Sequence, residues 1–151
     1  MEPYRLLVFV HVLSAVVALG SNFTYSIWLS RARRNPEHLA YVLRTVQAID
    51  NRVANPAYGL LLLTGLAMIA WGPHAITERW IISSLVLYAV AIVLGIGFYT
   101  PALRRQIAAA ETSGPESPEY QRAARRGTTV GVLVSVIVLA ILFLMVVKPQ
   151  V

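Results

Sequence analysis

Residues Gly127–Val147 read GTTVGVLVSVIVLAILFLMVV, a run with no Asp, Glu, Lys or Arg. A bilayer hydrocarbon core of about 30 Å takes roughly 20 residues of helix to cross. This run is therefore long enough to span a membrane. Three more stretches share the property: Leu6–Ser30, Val53–Thr77 and Trp80–Leu103. A membrane barrel would show shorter segments of alternating polarity. Uninterrupted apolar runs satisfy their backbone groups in lipid only as helices. The prediction is an all-α fold, a transmembrane four-helix up-down bundle. It forms one integral membrane domain over residues 1–151, with spans at about 6–30, 53–72, 80–100 and 127–147.

Composition agrees with that reading. Of 151 residues, 57% are hydrophobic and 13% charged, against roughly 25% charged in soluble domains. An ordinary soluble domain is excluded. With 8 Pro and 9 Gly, no long disordered tract is indicated.

Arginine sets the orientation, because short loops rich in Lys and Arg stay in the cytoplasm. Arg31, Arg33, Arg34, Arg44 and Arg52 cluster in the first loop; Arg104, Arg105, Arg122, Arg125 and Arg126 cluster in the third. The other side carries only Arg5, Arg79 and Lys148. Both termini are thus expected on the outer, periplasmic or extracellular side of a bacterial inner membrane. The net charge of +6 is accounted for by a solvated belt facing anionic lipid. No nucleic-acid module is visible, and nucleic acid is not an expected partner.

Without cysteine there is no disulfide, thiolate metal site or cysteine nucleophile. The N-terminal stretch is not read as a cleaved signal peptide, since Met1–Arg5 has no net positive charge and apolar sequence continues to Leu29.

Between the spans, Asn35-Pro36-Glu37 reads as an N-cap, a proline at the first helical position and a first-turn acid. Leu39, Val42, Leu43, Val46 and Ile49 then recur at helical spacing. The favoured reading extends helix two into the cytoplasm, with Pro56 bending it near the interface. Ala110–Glu119 is the most linker-like stretch, and no strong internal repeat is seen. Trp71 and Trp80 fall where an interfacial aromatic belt places them.

Each span also carries a small or polar row suited to close helix packing. On helix one His11, Ser14, Ala18, Ser21 and Tyr25 form the row expected to face inward, opposite Phe9, Val12, Val16, Leu19, Phe23 and Ile27. Helix three offers Ser84, Tyr88, Ala91 and Gly95; helix four offers Gly127, Gly131 and Ser135. These rows serve as packing surfaces or as the lining of a binding cavity.

His11 is the one strongly polar titratable group well inside a span. Imidazole there is a haem axial ligand, a copper or zinc ligand, a proton relay, or a structural group bonded to Ser14, Tyr25 or a tyrosine on another helix. The other histidines are His38, at the cytoplasmic end, and His74, in the outer loop. His11 with His74 forms a candidate metal pair, with Glu2 and Glu78 nearby in topology. Asp50, Asn51 and Arg52, followed by Asn55-Pro56, form a polar cluster at the cytoplasmic mouth of helix two. It is either a juxtamembrane ion pair that fixes helix depth or a site for protons or a polar head group. No predicted span contains Asp, Glu, Lys or Arg, which counts against proton-driven transport and ion conduction. Nucleotide, dinucleotide, metalloprotease and nucleophile-elbow motifs are absent from the sequence.

Taken in order, several motifs carry a resemblance. They are the arginine cluster after helix one, Asp50 with Pro56, Thr64-Gly65-Leu66, Pro101-Ala102-Leu103-Arg104-Arg105, Glu119-Tyr120 with Arg125-Arg126, and Lys148-Pro149. Over nearly its whole length the chain resembles a bacterial four-span integral membrane family of unknown function. His11-Val12-Leu13 with Gly20 is also similar to the start of copper-resistance protein D and of the membrane protoporphyrinogen oxidase of haem synthesis. The oxidase resemblance implies a haem ligand at His11. It departs at helix three, where that family carries an essential lysine and this chain has none before Lys148. The enzymatic activity is not carried over.

The leading expectation is a non-enzymatic accessory or scaffold subunit, in contact with the bilayer and with other membrane subunits or a second copy of itself. From a different class comes a haem, porphyrin or quinone-linked redox protein, with haem the leading cofactor and His11, Tyr25 and Tyr88 lining its pocket. A third reading is an oligomeric small-solute or metal transporter.

Overall fold

A computed structural model describes residues 2–149. Four long helices account for most of them: α1 (Glu2–Ala32), α2 (Pro36–Trp71), α3 (Arg79–Thr112) and α4 (Pro118–Val147). Each is long and apolar enough to cross a membrane, and no strand occurs among the described residues. Side-chain pairs show that neighbours run antiparallel. His11, Asn22 and Tyr25 on α1 meet Thr64, Tyr58 and Asp50 on α2, so the second numbers fall as the first rise.

The expected extension of helix two is present: α2 is one continuous helix from Pro36. It begins with a short tight turn at Pro36–His38, where the His38 N–H donates to the Asn35 carbonyl. Asn35 stands at the cap position without a side-chain cap bond. The linker expectation at Ala110–Glu119 is corrected, because α3 runs on through Thr112 and residues 113–117 alone form the turn. Gly114 takes the left-handed φ of +82° there, a conformation that favours glycine. Ser117 then caps α4 by accepting from the Tyr120 N–H at 3.2 Å, with Pro118 in the first turn.

The tightest core lies at the arginine-rich end, where the apolar runs give way to charged sequence. Leu39, Leu43 and Val46 of α2 pack there with Leu103 and Ile107 of α3 and with Tyr120 and Ala124 of α4. The spacing of 39, 43 and 46 is one helical face. Water drives apolar burial at this end, whereas lipid solvates apolar side chains along the spans and leaves little drive to bury them. Within the spans the small or polar rows close up, together with Trp80 and Ile81 of α3 and Val138 and Ile141 of α4. Ser14, Ala18 and Tyr25 are buried on α1, as expected, while Phe9, Val12, Val16, Phe23 and Ile27 are exposed. Ser84 on α3 and Gly127 on α4 are buried on the matching faces. Trp71 is 79% exposed at its helix end, as a belt residue is, but Trp80 is 7% exposed and belongs to the interior.

Two wide π-turns interrupt the long helices, at Asp50–Ala54 in α2 and Gly95–Tyr99 in α3. Each begins six residues before a proline, Pro56 or Pro101. A helical proline donates no N–H and crowds the carbonyl four residues back. The wide turn relieves that crowding. It is closed by Asn55 N–H to Asp50 O in α2 and by Thr100 N–H to Gly95 O in α3. The Thr100 hydroxyl adds a second bond to Gly95 O at 3.1 Å.

Candidate functional site

A column of polar groups runs along the α1–α2 seam. At its upper end His11 Nδ1 lies 3.0 Å from Thr64 Oγ1. The Thr64 hydroxyl donates its only proton to the Leu60 carbonyl at 2.7 Å. With that proton on the carbonyl, the Thr64 oxygen accepts from Nδ1–H of His11. That tautomer leaves Nε2 with a lone pair. Gly65 makes room for the ring: a Cβ there would stand 3.1 Å from His11 Cε1.

Further along, Asn22 Nδ2 donates to the Tyr58 hydroxyl at 2.6 Å, and the Tyr88 hydroxyl of α3 donates to the Tyr58 backbone carbonyl at 2.6 Å. Tyr58 thus ties three helices together. At the level of the α2 π-turn, Asp50 is buried and accepts from the Tyr25 hydroxyl at 3.5 Å and from Asn55 Nδ2 at 3.4 Å.

The expected site residues are distributed along this column rather than gathered around one point. Tyr25 is 14 residues beyond His11 on an unbroken helix, roughly 21 Å away along the axis. Tyr88 is engaged by Tyr58. Among the described residues His11, Tyr25 and Tyr88 stand at separate levels of the column. The trio at the mouth of helix two also divides, with Asp50 turned inward while Asn51 and Arg52 are exposed. No ion pair among the described residues joins Asp50 to Arg52.

His74 belongs to a separate network at the far end. Its Nδ1 faces Glu78 at 3.1 Å and its Nε2 accepts from the Lys148 ammonium at 3.2 Å. Lys148 also sits 5.4 Å from the centre of the Trp80 ring. Burial works to raise the Glu78 carboxyl, yet donors from Trp80 Nε1, the Ala75 N–H and His74 outweigh it and hold the group below the ordinary carboxylate range. Both nitrogens of His74 are thereby occupied, and His11 bonds elsewhere. Among the described residues no group of three or more His, Asp or Glu is placed to hold a metal ion.

Asn22 and Tyr58 were not singled out in the sequence. Asn22 lies beside the inward row rather than in it, and Tyr58 became visible only once α1 and α2 were set in register. The matched spacings Asp50 to Pro56 and Gly95 to Pro101 were the available signal for the paired π-turns.

Four apolar helices joined by interhelical polar contacts define a multi-span integral membrane protein. Residues 5–149 match the family described as predicted integral membrane protein (DUF2269), and the chain belongs to that family. Its members have no established function. No curated protein and no solved structure matches the chain. The resemblances to copper-resistance protein D and to protoporphyrinogen oxidase gain no support from these comparisons.

Proposed function

We propose that the protein is an accessory or scaffold subunit of a membrane complex, non-enzymatic, with its arginine-rich end in the cytoplasm of a bacterial cell. The observation that carries this reading is where the polar groups of the spans are spent. Those of His11, Asn22, Tyr58 and Tyr88 bind neighbouring helices, and no buried side-chain polar atom among the described residues lacks a partner. The interior is thus used for holding helices together, and the broad apolar exterior remains for contact with other membrane components. The test is a photo-crosslinker placed in turn at Phe9, Val16 and Phe23 on α1 and at Val132, Val136 and Phe143 on α4 in native membranes. A discrete protein adduct from one helix face is the expected result. Lipid adducts alone from every position would sink the reading.

A second reading is favoured by the His11–Thr64 contact: with Nδ1–H donating to Thr64, Nε2 would ligate a haem or porphyrin while Thr64 orients the ring as ligand-holding partners do. A groove of about 450 Å³ reaches Thr64, and Leu7, Val10 and Trp71 among others give it apolar walls. An absorption spectrum of the protein purified from its native membrane, oxidised and dithionite-reduced, decides the matter. A Soret band lost in His11→Ala supports ligation, and a colourless protein removes it.

A further inference from the structure

We infer that the arginine-rich end holds a defined site for the phosphodiester of an anionic phospholipid, in the groove between the end of α1 and the first turns of α4. The groove encloses about 560 Å³. Arg33, one residue beyond α1, and Arg125 on α4 both line it, together with Thr128 and Thr129. The two threonines open the charge-free run at Gly127–Val147, so the groove sits where the apolar span gives way to charge. Its floor includes Leu39, Tyr120 and Ala124, all members of the buried core. A charged rim over an apolar floor suits an amphiphile better than a free ion.

Two features mark these side chains as available. Arg44 is paired with Glu111 and Arg122 with Glu119, but no ion pair among the described residues engages Arg33 or Arg125. Ser14, Ser21, Thr64, Ser84 and Ser135 all turn their hydroxyls back onto a carbonyl of their own helix. Among the described residues Thr128 and Thr129 make no such bond, which leaves both hydroxyls as donors. Glu116 is the one acid in the lining. Two guanidiniums and one carboxylate give the groove a formal charge of +1, the complement of one phosphodiester. Guanidinium groups suit phosphate because their paired donors match its oxygens, and basic pockets between spans are established places for anionic head groups.

The experiment uses the full-length protein in phosphatidylcholine nanodiscs containing a small fraction of phosphatidylglycerol, with bound lipid read by native mass spectrometry. Arg33→Gln with Arg125→Gln is compared with Arg31→Gln plus Arg104→Gln, a charge-matched pair outside the groove. The groove pair is expected to weaken phosphatidylglycerol retention about ten-fold or more, from the loss of two charge-assisted contacts, and the control pair to retain it. Thr128→Val with Thr129→Val, which alters no charge, should show a smaller loss and covers the case in which the arginine variant fails to fold. Equal losses from both arginine pairs would mean a diffuse basic belt and overturn the site. Undiminished retention in the groove variants would overturn it as well. Inorganic phosphate added to pure phosphatidylcholine discs provides the last arm: tight binding of phosphate alone would make the ligand a free anion and not a lipid.

Discussion

His11 Nδ1 and Thr64 Oγ1 join α1 to α2 at 3.0 Å, and with the Thr64 proton on the Leu60 carbonyl the histidine is the donor of this bond. Replacement by valine keeps the shape of Thr64 and removes the acceptor. Thr64→Val is expected to destabilise the α1–α2 pair by about 1 kcal/mol, the usual size of a hydrogen bond between membrane helices. Thermal unfolding in detergent measures this loss, and nitrogen chemical shifts of His11 should show the fixed tautomer disappearing.

Gly65 supplies the space for that ring. An alanine methyl would sit 3.1 Å from His11 Cε1, closer than relaxed carbon contacts, and a valine would drive the helices apart. Gly65→Val should therefore cost about 1–3 kcal/mol, the range for overpacked interiors, and should exceed the cost of Gly59→Val, where nothing stands within 4 Å. Equal losses at the two positions would remove the close-approach argument.

Asp50 has two donors and, among the described residues, no ion-pair partner. Asp50→Ala leaves Tyr25 and Asn55 without their acceptor, and a loss of about 1–3 kcal/mol is expected. Asp50→Asn keeps an acceptor oxygen and should lose much less. If asparagine proves as harmful as alanine, the charge itself matters, and a bound cation or proton becomes the next question at this position.

Acid acts at the other end of the molecule. The folded protein holds the Glu78 carboxyl below its ordinary value of 4.5. The stabilisation this brings is fully present above that value and is lost as pH falls through the lower folded value. Acidification to well below that ordinary value should release the Trp80 indole, read as a change in tryptophan fluorescence or in the indole N–H resonance. Glu78→Gln should abolish the transition.

Stability is concentrated where water, and not lipid, surrounds the helices. Leu43 is wholly buried in the arginine-rich core, and Leu43→Ala should cost about 2–5 kcal/mol. Val136 is 58% exposed along its span, so Val136→Ala should be close to neutral. Unfolding in matched detergent micelles compares the two directly.

The four crossings and the helical extension at Leu39–Ile49 were legible because charge depletion and helical periodicity are local properties. So was the inward row of α1, which follows from the small or polar character of its side chains. The polar column was legible only in fragments. Which residue of α1 meets which of α2 depends on the axial register of two helices, and no single-helix pattern records it; Asn22 and Tyr58 were missed for that reason. His11, Tyr25 and Tyr88 share small-residue faces, but a rigid helix rise separates the first two by more than one ligand's reach. Asp50 parts from Asn51 and Arg52 because successive helical residues stand about 100° apart, and which of the three faces inward is settled by packing against α1.

The π-turns of α2 and α3 also bear on how the family can change in length. A π-turn is an ordinary helix carrying one surplus residue, absorbed without rotating either flank. Elsewhere in α2 or α3 the loss of one residue swings everything beyond it by about 100° and would carry Thr64 or Ser84 out of the interior. Within the turns the surplus lies on the exposed residues, Asn51, Arg52 and Val53 in one and Ile96, Gly97 and Phe98 in the other. Single-residue deletions are therefore tolerable at these two places and ruinous a turn away, so relatives of this chain that differ by one residue in α2 or α3 should differ there.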